Sequence, residues 1–194
     1  MDTYFTIAVP SEGEYKEKGS KFIAFTYFVS DESSIKEKLE QLKKEHFKAT
    51  HHCYAYRLGI DGKNYRANDD GEPSGTAGRP MLGQIDSFGL TNVLIIVVRY
   101  YGGTKLGTSG LINAYREAAK NALEKSQKIE KIIESIIEVS ISYNQLNEMM
   151  QFLKQYEIEI ITSIYTDNEI LVKLNVRNKL IAIVNEKIAN WSKT

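Results

Sequence analysis

Disulfides and thiolate clusters are beyond this chain, which has one cysteine, Cys53, in 194 residues. It has three prolines and thirteen glycines, and every one of them lies before residue 111. Tight turns and unusual backbone angles are therefore concentrated in the first part, and the remainder reads as regular elements joined by Asn, Asp and Ser turns. No uncharged apolar run exceeds Val93–Val98, far short of the ~20 residues of a membrane-spanning helix. Met1-Asp2-Thr3 offers no basic start leading into an apolar stretch, so no signal peptide is expected, and the expected location is cytoplasmic. An excess of charge is also missing: 25 basic residues face 25 acidic ones, and the pI is near 6.8. That balance excludes a generally basic nucleic-acid wrapper and leaves room for a local basic patch.

What is present is the balance of a folded protein, 42% hydrophobic and 26% charged, long enough for one ordinary domain or two small ones. Two units are expected, residues 1–130 and 131–194, with a seam near 128–134. In the first, Tyr4–Val9, Phe22–Val29 and His51–Ile60 have the β-branched and aromatic content of strands. Ile35, Leu39, Leu42 and His46 recur at helical spacing across 31–46, with Ser34 and Glu37 placed to form a capping box and Ser30 as an alternative start. Within Thr91–Tyr101 the continuous apolar run predicts a strand buried on both faces. A glycine loop, 102–110, then leads into a helix over about 109–125, with Leu111, Tyr115, Ala118 and Ala122 inward. The second unit reads β-α-β-β-α: Ile137, Val139 and Ile141 on a strand, Leu146, Met149, Met150 and Leu153 on a helix. Two strands follow around Thr166-Asp167-Asn168, then a helix through Ile181, Val184, Ile188 and Trp191. That order is the ferredoxin-like split βαβ module, with no room before Thr194 for the usual closing strand.

Two segments could carry function. Residues 69–80, Asp-Asp-Gly-Glu-Pro-Ser-Gly-Thr-Ala-Gly-Arg-Pro, hold three carboxylates, two hydroxyls, three glycines and two prolines, a composition foreign to a regular helix or central strand. They read either as a rigid loop presenting Asp69, Asp70, Glu72 and Ser74 to a ligand, or as a turn whose carboxylates bind its own amides or an arginine. Residues 102–110, Gly-Gly-Thr-Lys-Leu-Gly-Thr-Ser-Gly, sit between a buried strand and a helix, where backbone amides can hold an anion. The spacing is similar to a P-loop, but the lysine needed after the second glycine is replaced by Thr108, and Lys105 lies inside the loop. The alternative is a turn with Thr108 or Ser109 as helix N-cap. Arg99 ends the buried strand and needs a partner, with Asp69, Asp70, Glu72 and Asp86 as candidates. His51-His52-Cys53 is a poor metal site, because neighbours on a strand point to opposite faces. A Cys53–His nucleophile pair and a buried, inert thiol both stay open.

In order, Lys18-Gly19-Ser20-Lys21-Phe22-Ile23-Ala24, His51-His52-Cys53-Tyr54-Ala55-Tyr56-Arg57, Asp69 through Gly78, and Val97-Val98-Arg99-Tyr100-Tyr101-Gly102-Gly103 resemble the YigZ/IMPACT family. The resemblance runs from about residue 15 to the end, in the short bacterial form with an extra C-terminal domain. It implies an α+β protein of two domains. The N-terminal one is an α/β sandwich like the second domain of small-subunit ribosomal protein five, and the C-terminal one is a ferredoxin-like βαββα module. Both are similar to late domains of elongation factor G, which implies RNA, the ribosome or a translation-associated protein as partner. Eukaryotic relatives regulate translation under amino-acid starvation. The resemblance supplies no catalytic residues, cofactor or metal. The leading expectation is a non-enzymatic, translation-linked interaction protein whose contact residues are Asp69, Asp70, Glu72, Ser74, Arg99, Lys105, Thr108 and Ser109. The competing expectation is an enzyme or binder acting on a small phosphorylated or nucleotide ligand between the same loops. Neither unit is basic as a whole, with 18 basic and 17 acidic side chains in residues 1–130 and 7 and 8 in 131–194, so RNA affinity requires a local patch.

Overall fold

The computed structural model describes residues 2–191. The fold is α+β, and the chain divides into two compact units, Tyr4–Lys131 and the residues from Ile132 onward, which Thr3 joins.

The first unit is built on a five-stranded antiparallel sheet of order β2-β3-β6-β4-β5. Its strands are β2 (Ser11–Glu17), β3 (Ser20–Phe28), β4 (His51–Leu58), β5 (Asn64–Asn68) and β6 (Val93–Tyr100). β6 is central and buried from Val93 through Arg99. Its odd-numbered residues Val93, Ile95 and Val97 pack with helices α2 (Gly78–Ser87) and α3 (Gly107–Lys125), and its even-numbered Leu94, Ile96 and Val98 with α1 (Glu32–Glu45). Continuous apolarity thus reports two covered faces, each buried Ile or Leu contributing about 1.5–3 kcal/mol. A short ribbon of β1 (Thr3–Ile7) and β7 (Lys128–Ile132) completes the set of strands.

Several local expectations change. Asp31, not Ser34 or Ser30, caps α1: its extended backbone lets the carboxylate accept from Ser34 N at 2.8 Å. α3 begins at Gly107, and its N-cap position, Leu106, makes no side-chain cap bond, so neither Thr108 nor Ser109 fills that role. Residues 78–80 are not loop but the first turn of α2, where the amides have no intrahelical partner and Pro80 removes nothing. β2, β5 and β7 carry no clear apolar pattern, and edge strand β5 is largely exposed.

The second unit places β8 (Glu134–Ile141), β10 (Ile170–Arg177) and β9 (Glu159–Tyr165) in an antiparallel sheet, in that order. Helices α4 (Leu146–Gln155) and α5 (Ile181–Trp191) give Met149, Leu153, Val184 and Trp191 to the core that also takes Val139, Ile141, Val172 and Leu174. Met150 belongs to the other side of α4 and is exposed. The turn after β9 is closed by Thr166, whose N–H and hydroxyl both donate to the Glu169 carbonyl.

Candidate functional site

Sheet register puts three residues in one row. Phe22 on β3 and His51 on β4 both pair with Arg99 on β6, so their side chains share the face that α3 covers. Arg99 is 6% exposed, with its guanidinium 5.3 Å from the Phe22 ring. A buried cation needs a partner, and the acidic segment supplies it.

Residues 69–77 fold over this row as a turn held by its own carboxylates. Asp69 accepts from the backbone N–H groups of Gly75, Ala77 and Gly78 at 2.8, 2.9 and 2.8 Å. Burial alone would raise its pKa, but the three amide donors outweigh that and hold it below the ordinary carboxyl value. Asp70, at φ +44°, accepts from His52 N through its carboxylate and from His51 Nδ1 through its carbonyl. Because a carbonyl can only accept, Nδ1 of His51 carries the proton in this bond.

Glu72 is the one carboxylate of the segment that turns inward. Its Oε1 accepts from Arg99 Nη1 at 2.6 Å and from the Tyr115 hydroxyl of α3 at 2.7 Å. Burial, with Cys53 and Glu72 beside it, pushes the Tyr115 phenol up, so it stays a donor. The Cys53 thiol lies 3.0 Å from the Asp69 carbonyl and 3.3 Å from the Tyr115 hydroxyl, one proton serving two acceptors. Burial also raises this thiol, which removes the thiolate that a nucleophile would require.

The glycine segment supplies the opposite wall. Gly102 packs against the β2–β3 turn, where an added Cβ would fall 1.9 Å from the Gly19 carbonyl carbon. The Gly102 N–H donates to Ser20 Oγ at 3.1 Å. Gly103 and Gly107 instead stand at φ +86° and +74° over open space, shaping the approach to α3.

Between these walls lies a cavity of about 520 Å³, lined by His51, Glu72, Arg99, Tyr101, Lys105 and Thr108 among others. Of the eight candidates, four therefore meet in one place: Glu72, Arg99, Lys105 and Thr108. Asp69 and Asp70 shape the loop from outside the lining, and Ser74 and Ser109 are exposed away from it. His51, Tyr101 and Tyr115 were not on the candidate set. His51 stands in the sequence as a strand histidine beside Cys53, and Tyr115 fits the helical apolar stripe of α3, so their place in the cleft depends on tertiary packing. A larger depression of about 680 Å³ lies on the second unit between α4 and β9, but Met150, Leu153, Ile158 and Ile160 dominate it. It gathers no cluster of ionisable groups.

Residues 18–123 match the Impact N-terminal domain family. The IMPACT family member YvyE of Bacillus subtilis is 36% identical over 87% of this chain and 77% of its own length. The IMPACT family member YigZ of Escherichia coli is 32% identical over 100% of this chain and 95% of its own. Among solved structures, a crystal structure described as that of a hypothetical protein superposes with a TM-score of 0.75 at 32% identity, covering 100% of this chain and 94% of the other. The chain belongs to the IMPACT family.

Proposed function

We propose that this protein is a translation-linked interaction protein, without catalytic activity, that contacts ribosomal RNA through the cleft between its acidic and glycine-rich loops. Membership of the IMPACT family, whose eukaryotic relatives the resemblance associates with translational control, supports the translational part. The observation that carries the RNA part is the character of the cleft wall. Lys105 is exposed on it, Thr108 presents a hydroxyl, and the first amides of α3 have no side-chain cap. Such a wall suits a phosphate oxygen. The cleft floor supports the non-catalytic part: the Glu72 carboxylate is held by Arg99 and Tyr115, and the Cys53 thiol is protonated.

The test is co-sedimentation of the purified protein with ribosomes at about 50 and 200 mM salt. Lys105→Glu, at an exposed position, is the variant of choice, with its fold checked by circular dichroism. The expected result is binding that weakens with salt and is lost in the folded variant. Binding indifferent to both salt and the variant would overturn the phosphate contact.

A further inference from the structure

We infer that the cleft accommodates one nucleotide, base and phosphate together, so that RNA is engaged through a chain end or an extruded nucleotide. This rests on the RNA reading above and specifies its ligand. A continuous backbone lying across a surface needs an extended groove, whereas this site is a pocket of about 520 Å³ into which His51, Glu72 and Arg99 converge. That volume lies within the about 300–1,000 Å³ of small-ligand sites.

Three kinds of contact converge in it. Tyr101 is 48% exposed, and its ring is braced by the Arg99 guanidinium at 5.5 Å, which offers a pre-set platform for a planar base. An imidazole with its proton on Nδ1 offers Nε2 as its acceptor, and on His51 that atom meets no hydrogen-bond donor among the described residues. The carboxylate beside it, Glu72 Oε1, is 3.9 Å away and is itself an acceptor. An amino or ring N–H of a base supplies the missing donor. Lys105, Thr108 and the uncapped start of α3 then take the phosphate.

The electrostatics agree with an anionic ligand. Glu72 would repel a phosphate if it stood alone, but Arg99 neutralises it at 2.6 Å. Asp69 and Asp70 do not line the cavity and are bonded to backbone amides. Lys105, on the cleft wall, has no salt-bridge partner among the described residues. One further donor is unused: Nε of Arg99 is buried and has no hydrogen-bond partner among the described residues, on a side chain that lines the same cavity and is 7% exposed. Buried donors are rarely left in that state unless something absent satisfies them.

The experiment is calorimetric titration of the full chain with the four ribonucleoside 5′-monophosphates, the matching nucleosides, ribose 5-phosphate and inorganic phosphate. At least one monophosphate is expected to bind about tenfold or more tightly than its nucleoside and than ribose 5-phosphate, because each half of the ligand has its own contacts. Tyr101→Ala and Lys105→Glu, both at exposed positions, are each expected to weaken it by about tenfold with an unchanged melting temperature. Equal binding of inorganic phosphate, equal binding of the nucleoside, or no binding of any monophosphate would each overturn the inference. The bound monophosphate is also expected to compete with ribosomes in co-sedimentation. If the protein sediments with ribosomes but binds no monophosphate, the single-nucleotide site fails and the translation reading stands. If a monophosphate binds and no ribosome is retained, the translation reading fails and the site stands.

Discussion

Nη1 of Arg99 and Oε1 of Glu72 meet at 2.6 Å, with 7% and 4% of their side chains exposed. The pair ties the end of the central strand to the acidic loop, and Tyr115 anchors the same oxygen to α3. Desolvating two charges costs roughly what their attraction returns, so the pair contributes little net stability but is costly to break. Glu72→Met and Arg99→Met are each expected to destabilise the fold by about 3 kcal/mol or more in urea denaturation. The double substitution Arg99→Met/Glu72→Met should cost clearly less than the sum. Strict additivity would show that the two groups are not coupled.

The glycines divide into those that packing requires and those it does not. Gly102 has no room for a methyl group, since a Cβ would lie 1.9 Å from the Gly19 carbonyl carbon and 2.3 Å from its oxygen. Gly83, within α2, has nothing within 4 Å of the same position. Gly102→Ala is therefore expected to cost about 4 kcal/mol or to prevent folding, through overpacking against backbone that cannot yield. Gly83→Ala should stabilise by about 0.5–1 kcal/mol, because alanine restricts the unfolded chain and favours helix. Thermal melts of the two variants decide the matter, and a destabilising Gly83→Ala would contradict the open space seen beside it.

The contrast between β6 and β2 shows what a sequence makes legible. Val93–Val98 announces a strand covered on both faces, because each position meets a hydrophobic layer. Ser11–Glu17 is equally a strand, yet only Gly13 is buried in it. α3 approaches so closely that the Gly13 Cβ would fall 2.3 Å from Ala122 N, and an absent side chain leaves no apolar signal. The site behaves in the same way. Arg99 was visible as a strand-end cation needing a carboxylate, with Glu72 one of four candidates that only the folded loop separates. His51 and Tyr115 were not, because their roles depend on strand register and on which helix face lies above, both set by tertiary packing. The β-α-β-β-α order of the second unit was readable, since β8 and β10 alternate and α4 and α5 keep helical spacing, although β9 gives no residue to the core.

Cys53 provides a probe of the first unit's core. Its thiol is buried on β4 beneath the acidic loop, and burial raises its pKa well above the ordinary thiol value. Thiolate is the reactive form, so the native protein is expected to resist an aromatic disulfide reagent at pH 8 and to react at once in denaturant. Labelling in native buffer should proceed at the rate at which the core opens. Rapid stoichiometric labelling of the folded protein would show that the loop does not seal the thiol.

His52 should make stability depend on pH. It lies beside Cys53 on β4, and its side chain points to the opposite face, where Nε2 is buried without a hydrogen-bond partner. Burial lowers its pKa, with Lys43 and His46 acting in the same direction. Asp70 and the backbone of His46 act against them and do not prevail. The unfolded chain thus takes up a proton near the ordinary value of about 6.5 while the folded chain still resists it. Stability associated with His52 is full above that value and is lost as pH falls through it towards the lowered folded pKa. Urea denaturation between pH 8 and 5.5 is expected to show this decline in the parent and a shallower one in His52→Gln, which stays neutral throughout. An identical slope in parent and variant would mean that the His52 ring is solvated and free to protonate in the folded protein.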